Sequence, residues 1–360
     1  MTGLHPKLLL VFVGISHDIA RVLDGVNEVA GGVPLIGCST HGEISAAGPR
    51  DGSVVVTALG GAGFSVATAV ATDVSGRQRE AGAEVAETVT AVGDQPYKAL
   101  IMLTDGLTRN QEDILRGAYS VVGASVPLFG GAAGDGWQMR CTYQLHGDKV
   151  LTDSVVAATI ASDAPIAVGV RHGWSKVGEP MVVTSCGGGR VFTLDDEPAM
   201  DVYLRRLGAP QETYRDAAAF SQFALSRPVG VARRSGEELR NLSTEVDIEG
   251  RSLGGGGDIP LGGLTWLMEG DEESILAATS AVCSDAIDAL HGHAPIGLLT
   301  FSCAALRAVL GDEGIVRECE RLAKVADGVP FAGFYTYGEI ARTRGIDGFH
   351  NQTLVVLALA

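Results

Sequence analysis

A short segment near the start of this chain recurs near its end, and that recurrence restricts the fold more than any other feature. Val33–Ile44 reads VPLIGCSTHGEI and Val329–Ile340 reads VPFAGFYTYGEI, aligned without a gap, so the shared pattern is VPxxGxxTxGEI. A partial third copy, Val126–Gly131, reads VPLFGG and then continues differently, as Ala132-Ala133-Gly134-Asp135-Gly136. Repeats of this kind mark duplicated supersecondary units.

The surroundings of each copy repeat as well. Upstream lies an apolar strand (Leu8–Val13, Ala99–Leu103, Ile296–Phe301), and a helix follows each strand. In the first helix Ile19, Val22, Leu23 and Val26 share a face, with Asp18 as N-cap and Gly31 as the stop. In the second, Ile114, Leu115, Ala118 and Val122 share a face that ends at Gly123; in the third, Ile315, Cys319, Leu322 and Ala326 lead to Gly328. The VPxxG segment forms a second strand, and Ser53–Leu59, Ser154–Ile160 and Thr353–Leu359 a third. The first two strands of a unit should be parallel through a right-handed crossover, and the third antiparallel. The expectation is an α/β fold of internally duplicated strand–helix–strand–loop–strand units with mixed sheets, its two halves packed together. Between the second and third units Asp195–Leu207 reads as a helix with Pro198 in its first turn, Ser252–Gly263 as a flexible glycine-rich loop, and Asp271 as the cap of a helix running to Leu290. A division near residue 190 is the natural boundary.

Composition narrows the function classes. With 27 Lys+Arg against 43 Asp+Glu the net charge is −16, which repels nucleic-acid backbones and anionic lipid headgroups, so neither is expected as a partner. No run approaches the ~18 apolar residues of a membrane span, and no signal peptide precedes the first strand, which reads as cytoplasmic. Cys38, Cys141, Cys186, Cys283, Cys303 and Cys319 are scattered, with no CxxC and no clustered His. Neither a metal site nor a cofactor is expected from them.

The GxxTxGEI loops are the leading site candidates. Each offers a hydroxyl (Thr40 or Thr336) and a carboxylate (Glu43 or Glu339) at a strand end, beside Cys38, Ser39 and Gly42 in one copy and Tyr337 and Gly338 in the other. Such groups suit the ammonium and carboxylate ends of a small zwitterion, in the crevice where α/β sheets bind ligands. The expected arrangement is two loops facing each other across a hollow. The competing reading has each glutamate accepting N–H bonds from its own turn and locking the duplicated fold. Gly130–Gly136, with Gly131 and Asp135, forms a tight loop beside that crevice but is not a P-loop. Cys38 raises a thiol-hydrolase alternative, against which stands its lack of an assigned His partner. His172 and His350, beside aromatics, raise a haem alternative, against which stands the structural default for a lone histidine. The HGH at His291 and His293 reads as solvated.

Taken in order, GCSTHGEI, GGAAGDG, the Gly169–Thr184 run, LDDEPAMDVYL (Leu194–Leu204), LRNL (Leu239–Leu242), FSCAAL (Phe301–Leu306) and the ending GFYTYGEIA…FHNQTLVVLAL resemble the FIST family of sensory domains. The resemblance implies a FIST N-terminal segment over residues 1–192 and a C-terminal one over 193–360. It also implies a non-catalytic module that binds a small molecule such as an amino acid, with His350 and Asn351 of the FHNQ ending added to the candidate ligand contacts. A haem-binding, nitric-oxide-sensing branch is the family's own alternative. The family carries a further helix before the first strand, so here the first sheet edge is expected to be uncovered. With no output domain after residue 360, the chain is expected to be either a stand-alone sensor or a sensing piece that signals through a separate partner such as a histidine kinase.

Overall fold

The computed structural model describes residues 5–233, 236–242, 245–255, 257, 259–342 and 348–360. Three homologous α/β units surround one apolar centre. The first contains the strand Pro6–Gly14, the helix Ile19–Ala30, and the strands Leu35–Thr40 and Val54–Gly60. The second contains Tyr97–Thr104, the helix Gln111–Val122, Leu128–Ala132 and Val155–Ser162. The third contains Gly297–Cys303, the helical stretch Ala304–Ala326, Phe331–Thr336 and Leu354–Leu359. In each unit the first two strands are parallel and the last returns antiparallel beside the first. Helix boundaries obey local chemistry. The Asp18 carboxylate accepts from the Arg21 N–H, and Gly31 ends that helix with φ 62°. Asp271 and Ser274 form a capping box ahead of the helix Glu272–Asp288. In the third unit the helix is interrupted at Gly311, with φ 67° and ψ −178°.

The segment expected to be a loop is a β-hairpin, and it belongs to a different sheet from the rest of its unit. Glu43–Ser45 pairs with Phe331–Thr336 of the third unit, Glu339–Arg342 with Leu128–Ala132 of the second, and Gln144–His146 with Leu35–Thr40 of the first. The exchange is cyclic and threefold. The registers Phe334↔Glu43, Gly131↔Glu339 and Cys38↔Gln144 make Glu43, Glu339 and Gln144 equivalent. The same bond recurs three times: Tyr335 N–H donates to Gly42, Ala132 N–H to Gly338, and Ser39 N–H to Tyr143, at 2.8, 2.8 and 2.9 Å. The VPxxG glycine is explained at the same stroke. A Cβ on Gly37, Gly130 or Gly333 would lie 2.2, 2.0 or 1.7 Å from the carbonyl oxygen of Val11, Met102 or Thr300 on the neighbouring parallel strand.

The inner faces of the three sheets pack together around Phe12, Phe129, Phe301 and Phe334. Phe301 touches all three other rings, with centroids 5.6–6.4 Å away. The outer faces carry the helices. The second and third sheets have six strands each, adding Phe64–Ala71 and Ile166–Arg171 beside the last strand of the unit. The first has five, and among the described residues Val54–Gly60 is paired on one side.

Residues 175–269 build a separate eight-stranded sheet between Ile166–Arg171 and Glu272–Asp288, covered by the helices Ala199–Arg206 and Ala217–Ala224. The sequence showed only part of it. Asp195–Leu207 contains the expected helix, entered at Pro198, but Ser252–Gly254 is a strand and not loop; Gly256 and Asp258 of that glycine-rich run lie outside the described residues.

Because Phe301 sits at the contact of all three units, Phe301→Ala should cost about 3–5 kcal/mol. Chemical denaturation should show this as one cooperative loss; a cost below about 1 kcal/mol would mean that the centre is not shared.

Candidate functional site

The two GEI glutamates do not face each other. Glu43 lies in the sheet of the third unit, and its carboxylate accepts from the Ser53 N–H (2.8 Å), the Ser53 hydroxyl (2.7 Å) and the Thr40 hydroxyl. Glu339 lies in the sheet of the second unit and accepts from the Thr353 N–H (3.2 Å) and hydroxyl (2.8 Å). Ser53 and Thr353 occupy the same place, just before the last strand of each unit, where their carbonyls accept from the Gly14 and Cys303 N–H groups. Both carboxylates therefore pin the exchanged hairpin to its own unit. They differ in one respect: Glu339 Oε1 is buried with no hydrogen-bond partner, and its neighbour is the Cys303 thiol. Burial holds the Glu339 carboxyl well above the usual range, and burial together with Glu339 holds the Cys303 thiol up.

The remaining residues of the first loop are engaged in the same packing. Cys38 is in the central core, its thiol pushed well up by burial and then by Glu43. Ser39 donates to the Gly134 carbonyl (2.7 Å) and accepts from the Tyr143 N–H (2.9 Å). Gly42 turns with φ 119°, and a Cβ there would strike Arg307, which bonds the His41 carbonyl and Asp51.

A cavity of about 260 Å³ opens where the second and third units meet beneath the added sheet. The second unit supplies its Gly106–Glu112 turn with Trp137 and Met139; the third supplies Cys303–Ala305, Thr336, Tyr337, Phe349 and Asn351; the added sheet supplies the Gly188–Gly189 turn, Asn241 and Glu245. Thr336, Tyr337 and Asn351 are thus brought together in the wall. Cys38, Ser39, Thr40, Gly42, Glu43, Gly131, Asp135, Gly338, Glu339 and His350 lie outside its lining. Several stand directly behind it. Gly131 makes room for the Thr336 side chain, which a Cβ would approach to 2.7 Å, and Gly338 makes room for the Phe349 ring. The Thr336 hydroxyl lies 2.6 Å from the Ala132 carbonyl. His350 Nε2 is 3.0 Å from the Ala341 carbonyl, and burial lowers its pKa. Asn351 donates to the His350 carbonyl (3.0 Å) and accepts from the Asn241 N–H (3.3 Å), tying the third unit to the added sheet. Among the described residues no histidine lines the cavity and no metal-binding cluster occurs.

Asp135 organises the loop that carries Trp137. Its carboxylate accepts from the N–H groups of Met139 (3.0 Å), Arg140 (2.7 Å) and Cys141 (3.1 Å) and from the Tyr337 hydroxyl (2.6 Å). Burial alone would raise its pKa, but the bonds from Tyr337 and the three amides prevail and leave it lowered. The Tyr337 oxygen in turn accepts from the Trp137 N–H (2.6 Å). Trp137 and Tyr337 stack at 5.2 Å and 22°, with the His41 ring 4.8 Å from Trp137 on an edge.

Trp137, Met139, Asn241, Glu245 and the Gly106–Glu112 turn escaped the sequence reading. One signal was present. Aligned on the exchanged strands, Gly134–Tyr143 of the second unit stands where the others have only His41-Gly42 and Tyr337-Gly338.

Among solved structures, a crystal structure of a chorismatase is similar to this chain at 11% identity, with a TM-score of 0.37, covering 99% of this chain and 93% of that one. No curated protein matches.

His41 is largely buried, and burial followed by the Arg307 charge lowers its pKa to about 4. A lowered folded pKa means that the unfolded chain takes up the proton first, so stability is lost as pH falls from about 6.5 towards about 4. His41→Gln should flatten the pH–stability profile across that window relative to the parent, by at most about 3 kcal/mol. Denaturation at several pH values checks this, and an unchanged slope would refute it. Cys38, buried and protonated, should label with iodoacetamide far more slowly than the half-exposed Cys141 and Cys186, as read by peptide mass spectrometry.

A family model described as the FIST N domain matches residues 7–197 and one described as the FIST C domain matches residues 199–342; this chain belongs to the FIST family of sensory domains.

Proposed function

We propose that the cavity between the second and third units is the ligand site of a sensory module, and that its ligand is an amino acid or a similarly small metabolite, bound without chemical change. What carries this reading is the composition of one cavity built by three parts of the fold. Its wall combines the amides of Asn241 and Asn351, the Arg109–Glu245 ion pair, and the apolar surfaces of Leu107, Trp137, Tyr337 and Phe349. Polar groups that converge on a concave wall beside apolar and aromatic surface can fix the orientation of a small molecule there. The volume of about 260 Å³ suits a metabolite of amino-acid size.

Binding without catalysis is supported by the state of Cys303, the cysteine among the lining residues. Its thiol is kept neutral by burial and by Glu339, which is poor preparation for nucleophilic attack. Signalling follows from the site's construction, because a ligand that bridges Asn241 and Asn351 tightens the added sheet against the third unit. A separate partner, such as a histidine kinase, would read that change. The acidic chain disfavours nucleic acid and anionic membrane as partners, no helix among the described residues is long and apolar enough to cross a membrane, and cysteines without disulfides among the described residues suit a reducing cytoplasm.

A thermal-shift screen of amino acids and small metabolites should find a stabilising ligand, since ligand at 100 times its Kd adds about 2.7 kcal/mol. Asn351→Ala should abolish that shift while the apo protein still folds, and mass spectrometry should recover the ligand intact. A shift that survives the substitution would place the ligand elsewhere; a converted ligand would make the protein an enzyme.

A further inference from the structure

We propose that Trp137 is a stacking plate, so that the ligand carries a flat, ring-bearing group. This rests on the ligand reading of the same cavity and adds a chemical class to it.

Three observations converge on Trp137. First, its loop is extra. The hairpin exchange is completed in the first and third units by two residues between the paired segments, where the second unit spends Gly134–Tyr143. The additional residues are not needed for the fold's closure, and they deliver Trp137 and Met139 to the cavity wall. Second, the loop holds strained backbone: Trp137 has φ 65° and Met139 φ 51°, values that bulky residues rarely adopt. The Asp135 carboxylate, with its bonds from three amides and Tyr337, keeps that conformation in place. Third, the result is a tryptophan 40% exposed, at a site where the other two units make do with a shorter loop. Water is driven off such a surface when a second flat apolar group covers it.

The plate is rigid because Tyr337 is stacked with it and hydrogen-bonded to its backbone. Gly106 permits this, since a Cβ there would sit 3.1 Å from the Tyr337 ring and 1.8 Å from the Ala133 carbonyl oxygen. A ring laid on Trp137 leaves the polar end of the same molecule to the amides of Asn241 and Asn351 and to the Arg109–Glu245 pair. The class indicated is a small amphiphile with a ring at one end and an amino or carboxylate group at the other.

The test is calorimetric titration of the full chain with L-phenylalanine, L-tyrosine and 4-hydroxyphenylacetate, with L-leucine as the ring-free comparison. At least one ring-bearing probe should bind about tenfold or more tighter than leucine. Trp137→Ala should remove that advantage and leave leucine within about threefold, whereas Trp137→Phe keeps most of it. Bound ring should also change the indole fluorescence of the parent and not of Trp137→Ala. Equal binding of leucine, or equal weakening of all probes by Trp137→Ala, overturns the stacking role. Stabilisation confined to ring-free metabolites in the wider screen overturns it too, yet leaves the ligand site standing. Failure of every compound removes the ligand reading and this one with it.

Discussion

Each unit of this protein is an incomplete sheet, and the fold exists because each is completed by a neighbour. A VPxxG strand left unpaired would present a row of buried N–H and C=O groups with no partner, which an interior does not tolerate. The hairpin that follows the strand does not fold back on it but covers the equivalent strand of the next unit, and the ring closes after three such steps. The central aromatic cluster is a consequence, since the exchange presses the inner faces of three sheets together.

The carboxylates are best understood within that ring. A hairpin lent to a neighbour needs a tether to its own unit, and Glu43 with Ser53 and Glu339 with Thr353 provide one at equivalent places. In the second unit the equivalent residue is Gln144, whose amide oxygen is buried without a partner, so no carboxylate tether stands at that place. The place where the repeat is least regular is the place where a cavity opens. Departure from symmetry is what a binding site requires, because a ligand needs a surface that the fold has not already used.

The added sheet hangs from the third unit through Asn351 and Asn241 and contributes a roof to the cavity, so the shape of the cavity and the seating of that sheet are linked by contact. The Arg240 guanidinium, fully buried, bonds the Phe349 carbonyl from the same sheet and pairs with Glu238. Such a charge-assisted joint holds one geometry in preference to a sliding interface.

Much of the architecture was legible in the residues alone. Periodicity, caps and stops located the strands and helices of all three units, because these are local consequences of side-chain shape and hydrogen bonding. The resemblance to the family was likewise carried by short motifs in order. Which sheet a hairpin joins is not local: GEI has the same composition whether its strand pairs at home or next door, so the sequence suggested a loop facing its twin. Nor could Trp137 be placed from its neighbours, since its position depends on Tyr337, two hundred residues away, meeting Asp135 across a unit boundary. The chain determined its building blocks; tertiary packing decided which of their edges and side chains were consumed by closure and which were left over to line a cavity.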